Sequence, residues 1–231
     1  MTTKNLKLTV ASLLCIIIGE FCHAQDWANL ERYKNDNTKI GFPKLGEERV
    51  VFMGNSITDF WINYFPNYFS NNGYINRGIS GQTTPQMLVR FRSDVINIRP
   101  DVVIILAGTN DIAGNTGPST LELIADNIFS MSELATSNGI KVILCSVLPV
   151  YDYPWKPGLN PAEKIIKLNK MIKNYSDNHK VFYLDYYSSM VNDRKGMKAD
   201  YSQDGVHPNK PGYEVMMELC SKAIKKVLIN K

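Results

Sequence analysis

The amino-acid sequence predicts an α/β fold: a three-layer α/β/α sandwich around a central, mostly parallel five-stranded sheet. Short β-rich runs alternate along the chain with longer stretches of helical periodicity, the order that parallel βαβ connections require. Two of those runs, "RPDVVIILAG" and "GIKVILCSV", are almost continuously apolar, as strands covered on both faces must be. Gly139 stands just ahead of the second, where a helix C-cap belongs.

Strands are expected at Arg49–Met53, Tyr74–Asn76, Val102–Leu106, Lys141–Val147 and Val181–Leu184. Helices are expected between and after them, at Ile62–Ser70, Pro85–Ile98, Ser119–Asn138, Pro161–Asn178 and Pro211–Leu228. Ahead of the first strand, the pattern around Trp27–Tyr33 reads as a short helix, followed by an ordered loop to Glu48.

The first 24 residues read as a leader rather than as part of the fold. Lys4 and Lys7 precede the apolar run Leu8–Ile18, and Cys22-His23-Ala24 ends in a small residue suited to signal-peptidase cleavage. The run is too short to span a membrane comfortably, and no other stretch approaches the needed length. Acylation of Cys15 or Cys22 is the second-ranked reading, because neither follows the small residue that lipoprotein processing prefers. Export with cleavage near Ala24 leaves residues 25–231 as one domain, long enough for a sizeable core. Losing Lys4, Lys7 and Glu20 takes the formal net charge from +4 to +3, with acids and bases interspersed, which gives no argument for nucleic acid. Cys145 and Cys220 remain; two separate buried thiols are favoured over a disulfide.

In open α/β sheets the working groups collect beyond the carboxyl ends of the strands. "VFMGNSITDFW" places Ser56 at the end of the first strand. Ser56 and Asp59 fit a capping box, the commonest job for a serine at such a turn. The same position, in the positive field of a helix N-terminus, suits a nucleophile whose product is an oxyanion. "NRGISGQTT", "GTNDI" and "PVYDYPWKPG" follow the next three strands, and "DGVHPNKPGY" precedes the last helix, all on the same rim.

A nucleophilic serine needs a base, an orienter for that base and oxyanion donors. Of the three histidines, His23 leaves with the leader, and His179 in "SDNHK" falls on the edge opposite the rim. His207 is left as the base, with Asp204 three residues earlier to orient it. Gly81 offers a backbone N–H unshielded by a side chain, with Gly78 as its rival. Asn110 offers a carboxamide at the end of a buried strand, unless it or Asp111 serves only as a cap.

Taken together, "GNSIT", "NRGISGQTT", "GTND" and "DGVH" resemble, in that order, the four blocks of the SGNH hydrolases, or GDSL-type esterases. The similarity runs from about Arg49 to the last helix and is greatest to the platelet-activating-factor acetylhydrolase-like members, which include exported bacterial carbohydrate esterases. It implies Ser56 as nucleophile, Gly81 and Asn110 as oxyanion donors beside the Ser56 N–H, and Asp204 and His207 as the rest of a triad. It also implies a flavodoxin-like sandwich and no metal or organic cofactor. The family's usual aspartate before the serine is Asn55 here, which bears on the turn rather than on proton transfer. "GNSIT" lacks the second glycine of the Gly-x-Ser-x-Gly elbow, which separates the chain from α/β-hydrolases of that type.

The leading expectation is an exported serine esterase acting on short acyl, chiefly acetyl, esters of a small molecule or oligosaccharide. Its rivals are a lipid esterase or thioesterase of the same family, an inactive carbohydrate-binding relative, and a metal-dependent phosphoesterase using Asp59, Asp111 and Asp204. Tyr151, Tyr153 and Trp155 offer flat faces for sugar rings, Asp152 a partner for hydroxyls, and Trp61 an opposite wall.

Overall fold

The computed structural model describes residues 26–229; the leader expected over residues 1–24, with Cys15, Cys22 and His23, lies outside the described residues. Five strands, β1 (Val50–Gly54), β2 (Tyr74–Gly78), β3 (Val102–Leu106), β4 (Lys141–Cys145) and β5 (Phe182–Leu184), form one sheet in the order β2-β1-β3-β4-β5. All neighbouring pairs are parallel. Gly54 pairs with Gly78 on one side and with Leu106 on the other, so three strands end level and release their following loops at one edge.

Both faces of the sheet are covered, which explains the continuous apolar runs. Val51, Met53, Val103, Ile105 and Leu144 point into a core completed by α4 (Thr84–Asp94), α6 (Leu121–Ser137) and α7 (Pro161–His179). Val50, Phe52, Val102, Ile104 and Ile143 point the other way, against α2 (Ser56–Tyr64), α3 (Pro66–Ser70) and α9 (Lys210–Ile229). The period-two alternation of a strand sorts one apolar run into two cores. Cys145 and Cys220 both lie in the second core as buried free thiols, and burial raises the Cys220 pKa to about 12.

The departures from the expected elements have local causes. The helix expected from Ile62 begins at Ser56 and breaks at Phe65, because Pro66 disfavours a helical conformation in the residue before it. The helix expected to reach Ile98 stops at Asp94 and continues as a single 3₁₀ turn, Ile96–Ile98, closed by Arg99 in a left-handed conformation. Residues 27–33 form turns rather than a helix, since the Asp26 carboxylate accepts from Leu30 N and Glu31 N; helix α1 follows at Lys34–Ile40. Two short helices escaped the sequence pattern, α5 (Thr109–Ile112) and α8 (Tyr187–Met190), each too brief to show a period.

Candidate active site

Ser56 is the first residue of α2, immediately beyond β1. It does not cap that helix. Asn55 does, its Oδ1 accepting from Ile57 N at 3.1 Å, so the expected Ser56–Asp59 capping box is not formed. Asp59 instead reaches sideways, its Oδ2 accepting from Ser80 N and Ser80 Oγ. The serine hydroxyl is thereby left for His207, whose Nε2 lies 3.0 Å from Ser56 Oγ.

His207 is aimed by the turn that carries it. Asp204 Oδ1 accepts from the backbone N–H groups of Val206 and His207, both at 2.8 Å, which curls Asp204–His207 into a tight turn. The other carboxylate oxygen then faces the ring, with His207 Nδ1 at 2.6 Å. Ser202 Oγ braces the same turn, accepting from Gly205 N and lying 2.8 Å from the His207 carbonyl. Burial alone would raise the Asp204 pKa, but the ring and backbone hydrogen bonds outweigh it and hold the carboxyl at about 2. An ionised Asp204 fixes the proton on Nδ1 and leaves the Nε2 lone pair facing Ser56. His179, by contrast, ends α7 at the opposite edge, stacked on Tyr175 with its Nδ1 2.9 Å from the Tyr175 carbonyl.

Strand order places the candidate oxyanion donors. β1 lies between β2 and β3, so Ser56 emerges between the loop holding Gly81 and the short helix holding Asn110. Gly81 has φ +79, a left-handed conformation that a side chain would strain. Among the described residues its N–H takes no part in the loop's hydrogen bonds, whereas its carbonyl accepts from Asn115 Nδ2 at 3.1 Å. The rival Gly78 is committed elsewhere. Its N–H donates to Asn76 Oδ1, and a Cβ there would meet Asp59 N at 2.2 Å, so this glycine lets α2 pack on β2. Asn110 Nδ2 donates one hydrogen to the Gln82 carbonyl at 2.9 Å and has a second to spare. Asp111 is a tie rather than a cap: its carboxylate accepts from Thr84 N and Thr84 Oγ1, joining the Gly81 loop to α5.

The aromatic residues divide. Trp61 is not a wall of the site; it is 2% exposed, packed edge-on against Phe52 and stacked with Tyr213. Tyr153 is also buried, with its hydroxyl donating to the Thr109 carbonyl at 2.8 Å. Asp152 folds its own loop, accepting from Tyr153 N and Gly158 N, and also lines the cleft that Tyr151 and Asp204 border. Trp155 does reach the site, 47% exposed with its ring 6.1 Å from that of His207. On the other side stands Phe60, 5.6 Å from the same ring, a residue that sequence reasoning missed. The signal was available: with the helix starting at Ser56, position 60 lies four residues on, over the nucleophile, and position 61 turns inward. Tyr151 borders a neighbouring cleft of about 240 Å³ with Asn192, Gly196, Asp204 and Gly205, and Arg194 covers its ring at 4.4 Å.

A serine, histidine and aspartate in hydrogen-bonded series, beside two candidate oxyanion donors on the rim of a parallel sheet, define a serine-hydrolase type of site. Comparison with known proteins gives the family. The profile of the GDSL-like lipase/acylhydrolase family matches residues 52–215, and the chain belongs to that family of carboxylic ester hydrolases. A Bacteroides fragilis structure described as that of a candidate acylhydrolase is 50% identical, with a TM-score of 0.87 over 88% of this chain and 99% of that one. A GDSL-like lipase from Bacteroides thetaiotaomicron is 48% identical, with a TM-score of 0.84 over 86% and 98%. An acetylxylan esterase of Xylanibacter ruminicola is 28% identical over 80% of this chain; the chain spans 45% of that protein's length.

Proposed function

We propose that this protein is an exported serine esterase that removes short acyl groups, chiefly acetyl, from carbohydrate esters. The observation that carries the proposal is the series Ser56 Oγ–His207 Nε2 at 3.0 Å and His207 Nδ1–Asp204 Oδ2 at 2.6 Å. His207 takes the Ser56 proton as Oγ attacks the ester carbonyl. The carbonyl oxygen becomes an oxyanion, held by the N–H groups of Ser56 and Gly81 and by the spare Asn110 hydrogen. Collapse expels the alcohol, which receives its proton from His207, and leaves Ser56 acylated. His207 then deprotonates a water that attacks the acyl-enzyme, and the acid departs as Ser56 recovers its proton.

The substrate class rests on separate support. Phe60 and Trp155 flank His207 as aromatic faces suited to a sugar ring, and a relative that aligns with 80% of this chain at 28% identity is an acetylxylan esterase. Export rests on the leader pattern of residues 1–24. Turnover of acetylated oligosaccharides against p-nitrophenyl esters of rising chain length tests the acyl preference. A rate that climbs steadily to octanoate and beyond would replace this reading with a lipid esterase. A secreted product beginning at residue 25, read by N-terminal sequencing, tests export.

A further inference from the structure

We infer that Gln82, held between the N-terminal turn and the buried guanidinium of Arg90, is a positioning residue for the oxyanion hole. The inference rests on the esterase reading above. Gln82 follows Gly81 directly and is itself buried. Its carbonyl accepts from Asn110 Nδ2, so the residue next to Gly81 also orients the Asn110 donor. A shift of Gln82 therefore moves two of the three donors together.

Both ends of its side chain are used. Gln82 Oε1 accepts from Arg90 Nε at 2.6 Å, and Gln82 Nε2 donates to the Ala28 carbonyl at 2.7 Å. Arg90 is fully buried and donates onward to the carbonyls of Gly54, at 3.0 Å, and Arg77, at 2.9 Å, with Asp94 balancing its charge. Gly54 ends β1, two residues ahead of Ser56. One guanidinium thus ties the strand that delivers the nucleophile to the loop that delivers Gly81. A buried cation whose contacts go to two backbone carbonyls, the Gln82 amide and a paired acid sets geometry tightly, since each lost contact would leave a polar group unsatisfied.

The second anchor lies in the segment just after the expected leader. Ala28 is buried, and beside its contact Gln86 Nε2 donates to the Trp27 carbonyl at 2.6 Å, while the Tyr33 hydroxyl donates to the Gly78 carbonyl. Residues 27–33 therefore clamp the loop from outside, and Arg90 holds it from within.

The test is a double-mutant cycle on p-nitrophenyl acetate. Gln82→Met keeps the length of the side chain and loses both contacts. Its kcat is expected to fall on the order of 10–100-fold with KM changed less than about threefold, because misplaced donors act on the transition state. In an Asn110→Ala background the same substitution should lower kcat less than it does in the wild type, with a residual loss from the displaced Gly81 N–H. Gln82→Glu keeps the acceptor for Arg90 and loses the donor to Ala28, so it should fall between wild type and Gln82→Met; it carries the same cycle if Gln82→Met does not fold. Independently of turnover, the amide resonance of Gly81 and the carboxamide resonances of Asn110 should shift in both variants. Full additivity in the cycle, wild-type kcat in both variants, or unmoved Gly81 and Asn110 resonances overturns the inference. Failure of the esterase reading has a different signature, namely wild-type turnover that survives Ser56→Ala.

Discussion

Asn55 Oδ1 accepts from the backbone N–H of Ile57 at 3.1 Å, and this contact frees the next residue, Ser56, from capping the helix it begins. In the sequence the two roles of the serine, cap and nucleophile, were compatible and inseparable. The structure separates them and assigns the cap to the neighbour that departs from the family's usual aspartate. Ser56→Ala should therefore lose no cap, only the hydrogen bond to His207, and change stability by about 1 kcal/mol at most. Esterase activity should be almost abolished. Asn55→Ala should do the reverse, lowering stability by about 1 kcal/mol, with a smaller loss of rate. Thermal unfolding of both variants, set against initial rates on p-nitrophenyl acetate, checks the exchange of roles. Asn55→Asp keeps an accepting oxygen at the helix N-terminus and should be close to neutral in both assays.

His207 and Asp204 should respond unequally. His207→Ala removes the group that sits against the Ser56 hydroxyl and should cost on the order of 10⁶ in kcat, as loss of a triad base does elsewhere. Asp204→Asn presents an amide to the ring, favouring the tautomer with its proton on Nε2, where it cannot accept from Ser56. A loss on the order of 10⁴ is expected. Pre-steady-state rates with a labelled ester separate the two, and equal residual activity would contradict the assignment of Asp204 as orienter.

The carboxylates predict opposite dependences of stability on pH. Asp204, with a folded pKa of about 2 against an ordinary aspartate value of 3.8, binds its proton less tightly when folded. Its contribution should be fully present above about pH 4 and be lost as pH falls towards 2. Asp111 is the other case: burial raises its pKa despite the hydrogen bonds from Thr84. Its ionisation opposes folding, so stability should decline as pH rises from 3.8 through the raised value. Melting temperatures of Asp204→Asn and Asp111→Asn, each referred to wild type from pH 2 to 7, should show differences of opposite slope.

The fold was readable because β1, β3 and β4 are apolar on both faces and the intervening helices are long enough to show a period. Ser56, Gly81, Asn110, Asp204 and His207 stood out as candidates because short blocks in fixed order follow the strand ends, and the structure brings Ser56, His207 and Asp204 into direct contact. What escaped depends on contacts remote in sequence. Gln82 and Arg90 look like ordinary helix-entry and helix-surface residues until folding brings the end of β1 against Arg90 and the N-terminal turn against Gln82. Trp61 was misplaced for a smaller reason: starting the helix at Ile62 rather than Ser56 lost the register that puts Phe60 outward and Trp61 inward. The Asp152 carboxylate also closes its own turn, a local use that composition does not reveal.

The last prediction concerns the two aromatic faces beside His207. Phe60 and Trp155 stand on opposite segments, one four residues past the nucleophile and the other in the loop after β4, with their rings 5.6 and 6.1 Å from the imidazole. Trp155 is backed by the buried Tyr153, whose ring lies 5.2 Å away, so its exposed face is held in place without substrate. A preformed apolar face contributes binding to any ring laid on it, and stacked aromatic contacts of this size are worth about 0.5–1.5 kcal/mol beyond area burial. A small aryl acetate needs only the acyl site and gains little from it. Trp155→Ala should therefore lower kcat/KM on an acetylated oligosaccharide about tenfold, chiefly through KM, and change p-nitrophenyl acetate by less than about threefold. Trp61→Ala, by contrast, should lower stability by about 3–5 kcal/mol as a core deletion, with no selectivity between the two substrates. Steady-state kinetics on both substrates, with unfolding curves for both variants, decide it: equal losses on the two substrates in Trp155→Ala would remove this face from the substrate site.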